Sequence, residues 1–180
     1  RQTPGGAFGS CRYKLQDPEK DQSEYQRLMD VFTAHNIGYF LYNGGGDSLD
    51  TANKIATYTN KRGFPVQCIG IPKTIDNDIP FTDNCPGFGS VAKYVAISTK
   101  EAGLDVASMA ETSTKVFILE VMGRHSGWIA AAGGLASEKK GDPPHLILFP
   151  EIPFNEKKMI AKVRKTVRDQ GYCVIVVSEG

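Results

Sequence analysis

The chain has 180 residues, 41% of them apolar, enough for one ordinary domain or two small lobes with a buried core. Its 21 basic and 20 acidic side chains leave a formal charge of +1, so no global potential draws it to nucleic acid or to an anionic membrane. No apolar stretch approaches membrane-spanning length, and the composition is that of a folded rather than a disordered chain.

In chain order, apolar residues at Tyr25, Leu28, Met29 and Phe32 give Ser23 to His35 a helical spacing, with Ser23 as candidate N-cap. Tyr39 to Tyr42 is a short strand running into Asn43-Gly44-Gly45-Gly46-Asp47-Ser48, and Leu49 to Arg62 is a helix stopped at Gly63. Val66 to Ile71 is the next strand, followed by Pro72-Lys73-Thr74-Ile75-Asp76-Asn77-Asp78. Phe88 to Glu101 suits a helix, Lys115 to Met122 a strand, Trp128 to Ala136 an alanine-rich helix and His145 to Phe149 a strand. Asn155 to Gln170 is again helical with Gly171 as its stop, and Cys173 to Val177 is a buried strand.

Strand and helix alternate throughout, which predicts an α/β architecture of largely parallel sheets with crossover helices. A division near Pro86-Gly87 separates residues 1–86 from 87–180. In such folds ligands bind at the carboxyl ends of strands, and the three most unusual segments all follow strands: Gly44 to Ser48, Pro72 to Asp78, and Met122 to Gly127.

Gly44, Gly45 and Gly46 let backbone approach an anion and aim amide N–H groups at it, with Asp47 and Ser48 opening a helix. A tight turn followed by a plain N-cap explains the same residues, and the Asp47 carboxylate repels phosphate unless a cation intervenes. The second segment carries more. In an extended loop Asp76 and Asp78 share a side, Lys73 supplies a cation beside them, and a carboxylate there can accept a proton from an attacking hydroxyl. In the third, Arg124, with Gly123 before it and Gly127 after, can carry a guanidinium to a phosphate or sugar hydroxyl, although taken alone the segment reads more readily as a strand-to-helix turn with an exposed arginine. His125 is a turn residue rather than a catalyst, and Trp128 is expected in the core. The basic residues from Lys157 to Arg168 form the solvated face of one amphipathic helix.

Cys11, Cys68, Cys85 and Cys173 form no CxxC pair and are expected to be reduced thiols, which favours a cytoplasmic setting. The sequence starts at Arg1 without methionine, so it is expected to be cut from something longer.

Taken together, Gly9-Ser10-Cys11-Arg12, the Gly44–Ser48 loop, Pro-x-Thr-Ile-Asp-Asn-Asp from Pro72 to Asp78, Met122-Gly123-Arg124 and the late Glu179 resemble the phosphofructokinase family in content, order and separation. The resemblance covers essentially the whole chain. It implies two lobes, the first part of a phosphoryl-donor lobe (1–86) and the second part of a fructose 6-phosphate lobe (87–180). It further implies that N- and C-terminal portions of the parent enzyme lie outside these residues.

The implied reaction is phosphoryl transfer to the 1-hydroxyl of fructose 6-phosphate. Asp76 would be the base, Thr74 and Ile75 would lie against substrate, Met122, Gly123 and Arg124 would hold the sugar phosphate, and Glu179 its hydroxyls. Arg12 would bridge donor and acceptor phosphates. Lys115 would reach a neighbouring subunit's site, giving a homo-oligomer with shared active sites. Members that use ATP typically carry glycine where this chain has Lys73 and Asp47, so the resemblance implies diphosphate as donor, with Gly44 to Ser48 around it and Lys73 on the transferring group. Mg²⁺ is the implied cofactor. Gly46 stands where much of the family has a metal-binding aspartate, which leaves Asp47 or Asp78 as candidate ligands. An ATP-dependent enzyme of the same fold, or a non-catalytic regulatory subunit that binds sugar phosphates, are the alternatives.

Overall fold

A computed structural model describes Gly6, Ala7 and residues 9–180. The chain divides into two compact units, residues 1–73 and 74–180.

In the first unit, α1 (Ser23–Ala34) buries Tyr25, Met29 and Phe32, one face at helical spacing. Its N-cap is Gln22 rather than Ser23, because the Asp21 carboxylate already accepts from the Ser23 N–H at 2.8 Å and draws the helix start back by a residue. Two parallel strands, β1 (Tyr39–Gly44) and β2 (Gln67–Pro72), pair in register from Tyr39 opposite Gln67 to Gly44 opposite Pro72. Their crossover is α2 (Gly46–Lys61). Leu15, Tyr25, Met29, Phe32, Ile55, Tyr58 and Val66 form the core. Parallel pairing places the ends of β1 and β2 side by side, so Gly45 and Lys73 emerge from the same edge.

The second unit is a three-stranded parallel sheet in the order β3 (Val116–Val121), β5 (Cys173–Ser178), β4 (Leu146–Leu148). Central β5 is buried through Cys173, Val174, Ile175 and Val176, as its continuous apolar run predicts. Before the sheet runs α3 (Phe88–Met109), longer than its apolar pattern suggests: the buried stripe Val95, Thr99, Gly103, Val106 continues through a glycine. A Cβ on Gly103 would lie 2.5 Å from Pro143 Cγ, so the missing side chain is what permits this contact. The alanine-rich segment is α4 (Trp128–Ala132) followed by a 3₁₀ turn (Gly133–Ala136). Trp128 is not in the core; it is 57% exposed at the first position of α4, while Ile129 and Ala130 turn inward. Asn155 caps α5 (Glu156–Gln170), its side-chain oxygen accepting from the Lys158 N–H at 2.9 Å, and Gly171 closes the helix at φ 88°.

Beside β4, His145 is half-buried. Its Nδ1 accepts the Val174 N–H at 2.9 Å, so the proton sits on Nε2, which donates to Gln170 Oε1 at 3.0 Å. Burial pushes its pKa below the ordinary imidazole value. The unfolded chain therefore binds this proton more readily, and stability present above pH of about 6.5 is lost as the pH falls below it. The melting temperature should drop between pH 7.5 and 5.5 by more than it does in His145→Gln; equal drops in both proteins would exclude His145 as the cause.

Candidate functional site

The glycine loop is the joint between β1 and α2. Gly44 ends the strand, Gly45 is the N-cap, and Gly46, Asp47 and Ser48 form the first helical turn, so the helix begins earlier than Leu49. A Cβ on Gly44 would sit 2.1 Å from Ser48 Oγ, so this close turn requires glycine. The first-turn amides, lacking intrahelical acceptors, carry the positive end of the helix dipole.

The Lys73 N–H donates to Gly44 O at 2.9 Å, which ties the end of β2 to this turn. Its ammonium lies 3.9 Å from where a Cβ on Gly45 would be. Ser10, Arg12, Gly44, Gly45, Gly46, Asp47, Ser48 and Lys73 line one hollow of about 770 Å³ within the first unit. Lys14 lines it too, and sequence reading passed over it; its place two residues after Arg12 was the available signal. Arg12, Lys14 and Lys73 with the α2 N-terminus around one hollow are groups whose chemistry can hold an anion, and Asp47 adds one carboxylate beside them.

In the second unit, Thr74 Oγ1 accepts the Asp76 N–H at 3.1 Å. Asn77 is left-handed at φ 59°; its side-chain oxygen accepts the Cys85 N–H at 2.8 Å and its amide donates to Asp83 O at 3.4 Å. The loop is therefore a turn and not the extended alternation expected, and it leaves Asp76 half-buried while Asp78 is exposed. Ile75 packs against the core of Val95, Val121, Ile129, Ala130 and Val176, which anchors the turn next to Asp76.

The neighbouring ends of β3 and β5 bring Met122-Gly123-Arg124 to Glu179. The Glu179 N–H donates to Val121 O at 3.0 Å, its carboxylate accepts the Gly123 N–H at 3.4 Å, and Ser178 Oγ donates to Gly123 O. Gly123 has φ 119°, and a Cβ there would lie 2.2 Å from Ser126 O. Gly123→Ala should cost about 1–3 kcal/mol from backbone strain alone, with the clash added, and lower the denaturation midpoint accordingly; an unchanged midpoint would contradict this geometry. No spacing in the sequence marks Glu151, yet its carboxylate accepts the Gly127 N–H at 2.8 Å and secures the turn entering α4. His125 is exposed.

Lys115 stands apart from these residues. It precedes β3 at the amino end, where its ammonium donates to Ala110 O, whereas Met122 follows the carboxyl end. Six residues of strand, roughly 20 Å, separate the two ends.

Among the described residues, no cluster of three or more histidine, cysteine or acidic side chains gathers as a metal cage. Asp47 is exposed and lines the hollow, and a carboxylate so placed is of the chemistry that a hard cation takes together with waters and phosphate oxygens.

A sequence model described as Phosphofructokinase matches residues 1–180. The chain is 63% identical, over its full length and 43% of the relative's, to the pyrophosphate–fructose 6-phosphate 1-phosphotransferase of Halomonas elongata. It is 34% identical, over 85% of its length and 32% of the relative's, to an ATP-dependent 6-phosphofructokinase of Amycolatopsis methanolica. Among solved structures, the pyrophosphate-dependent phosphofructokinase of Marinobacter aquaeolei superposes with a TM-score of 0.81 at 67% identity, covering 99% of this chain and 43% of that one. The chain thus spans less than half the length of the relatives it matches most extensively.

Proposed function

The chain belongs to the phosphofructokinase family, and from that premise we propose that the protein containing it transfers a phosphoryl group from diphosphate to the 1-hydroxyl of fructose 6-phosphate, giving fructose 1,6-bisphosphate and phosphate. The observation that carries the choice of donor is Lys73, whose ammonium stands beside Gly45 at a hollow also lined by Arg12 and Asp47. Diphosphate is compact and densely charged, and several cations around a helix N-terminus suit it. The Asp47 carboxylate at that N-terminus works against the longer phosphate chain of a nucleotide.

Asp76 accepts the proton of the 1-hydroxyl as its oxygen attacks the transferring phosphorus. The bond from that phosphorus to the bridging oxygen breaks, and orthophosphate leaves with the electron pair. Lys73 and Arg12 offset the charge on the transferring and leaving groups. Thr74 and Ile75 fix the approach of substrate to Asp76, Met122, Gly123 and Arg124 bind the sugar phosphate, and the Glu179 carboxylate accepts from sugar hydroxyls. Asp47 would hold Mg²⁺, with Asp78 as the other candidate, and the ion would supply positive charge to the diphosphate oxygens. The bond broken is a phosphoanhydride and the bond formed a phosphate ester, and the family resemblance implies a reaction near enough to balance to run in either direction.

We assign Lys115 to a neighbouring subunit's sugar-phosphate site on the family resemblance, which implies a homo-oligomer with shared active sites. The setting we assign is the cytoplasm, consistent with four free cysteines and with no described helix long and apolar enough to cross a membrane. Residues 1–86 and 87–180 are assigned to the donor and the sugar-phosphate lobes. The test is phosphorylation of fructose 6-phosphate by the protein expressed from its complete coding sequence, diphosphate and ATP compared side by side. Turnover with ATP alone would replace this reading with the ATP-dependent one, and binding without turnover would replace it with a regulatory subunit.

A further inference from the structure

The geometry points to Ser126 as the positioning residue for the Asp76 carboxylate, a role that rests on Asp76 being the base. Ser126 is 5% exposed, and its hydroxyl donates to the Asp76 main-chain carbonyl at 3.0 Å. These residues are fifty apart in sequence, so no local turn makes the bond. With Thr74 Oγ1 accepting the Asp76 N–H, both backbone polar groups of Asp76 are held, one by the turn itself and one from the α4 entry loop.

Ser126 can serve as a fixed point because its own backbone is held on both sides. Its carbonyl packs so closely on Gly123 that no Cβ fits there, and the next N–H, that of Gly127, is held by the Glu151 carboxylate. Gly123 is in turn tied to Ser178 and Glu179. One hydroxyl thus links the loop bearing the base to the loop that carries Met122, Gly123 and Arg124, all within the second unit. General-base catalysis depends on hydrogen-bond reach to the reacting hydroxyl, and a shift of about 1 Å can cost roughly 100-fold. A hydroxyl that sets the carbonyl of the base is therefore expected to act on kcat. The hydroxyl is buried and directed at that carbonyl, so KM should stay.

The experiment is a double-mutant cycle on the protein expressed from its complete coding sequence, with Ser126→Ala, Asp76→Ser and the pair, reading kcat and KM for fructose 6-phosphate and the melting temperature. Ser126→Ala should lower kcat at least tenfold with KM within about twofold and the fold intact, and should cost little further in the Asp76→Ser background. The same factor lost in both backgrounds, or an unchanged kcat in Ser126→Ala, would overturn the assignment. Should Ser126→Ala fail to fold, Ser126→Cys decides: its weaker donor in a similar shape should give a partial loss of kcat, and wild-type kcat there would also overturn it. If Asp76→Ser alone keeps its turnover, the fault lies with the reading of Asp76 as base and not with the Ser126 contact.

Discussion

Asp76→Ser should lower kcat for fructose 6-phosphate phosphorylation by roughly 10²–10⁴-fold, the usual worth of a positioned general base. KM for the sugar phosphate should move by less than about threefold, because the groups assigned to sugar binding, from Met122 to Arg124 and Glu179, keep their own anchors. Serine can still share a hydrogen bond with the sugar hydroxyl but cannot hold its proton at neutral pH, so the substitution separates proton transfer from binding. The fold should persist, since the turn is held by main-chain groups of Asp76 and by the Asn77 side chain, which the substitution leaves in place. The check is steady-state kinetics in the phosphorylating direction with sugar-phosphate binding measured separately. Turnover within a few-fold of wild type would remove Asp76 from the mechanism, and a large rise in KM at constant kcat would make it a binding residue instead.

The candidate residues differ in how legible they are in the sequence. The order of strands and helices was legible because apolar runs such as Cys173 to Val177 and the spacing of Tyr25, Met29 and Phe32 follow directly from what each element buries. Boundaries were less so where a neighbour decided them: Asp21 moved the start of α1, and α3 runs past Glu101 on a buried stripe that passes through Gly103 to Val106. The pattern Thr74, Asp76, Asp78 suggested carboxylates on one side of an extended loop, but the left-handed Asn77 turns the backbone between them, and its long-range partner Cys85 N–H has no local sequence signature. Glu151 and Ser126 were invisible as functional residues for the same reason. Each acts through a main-chain group more than twenty residues away, and nothing in the spacing of side chains reports such a bond.

Lys73→Gly should lower diphosphate-dependent kcat by roughly 10²–10³-fold, the cost typical of removing one preorganised stabiliser of developing charge. The loss should fall on the donor side, leaving KM for fructose 6-phosphate nearly unchanged, because Lys73 lines the hollow in the first unit with Arg12 and Asp47. Folding is not at stake: the bond from Lys73 to Gly44 uses the main-chain N–H, which glycine retains, and the ammonium is exposed. Removing the lysine leaves Asp47 in the first turn of α2, and on the proposed reading a carboxylate there opposes a nucleotide's α-phosphate. ATP should therefore remain a poor donor in Lys73→Gly and become a detectable one only in Lys73→Gly with Asp47→Gly. Two positions acting on one donor predict non-additivity in ATP turnover, with the double variant exceeding the product of the single effects. Initial rates with diphosphate and with ATP on the four proteins decide it. Undiminished diphosphate turnover in Lys73→Gly, or efficient ATP use by the wild type, would show that donor choice is made by other residues.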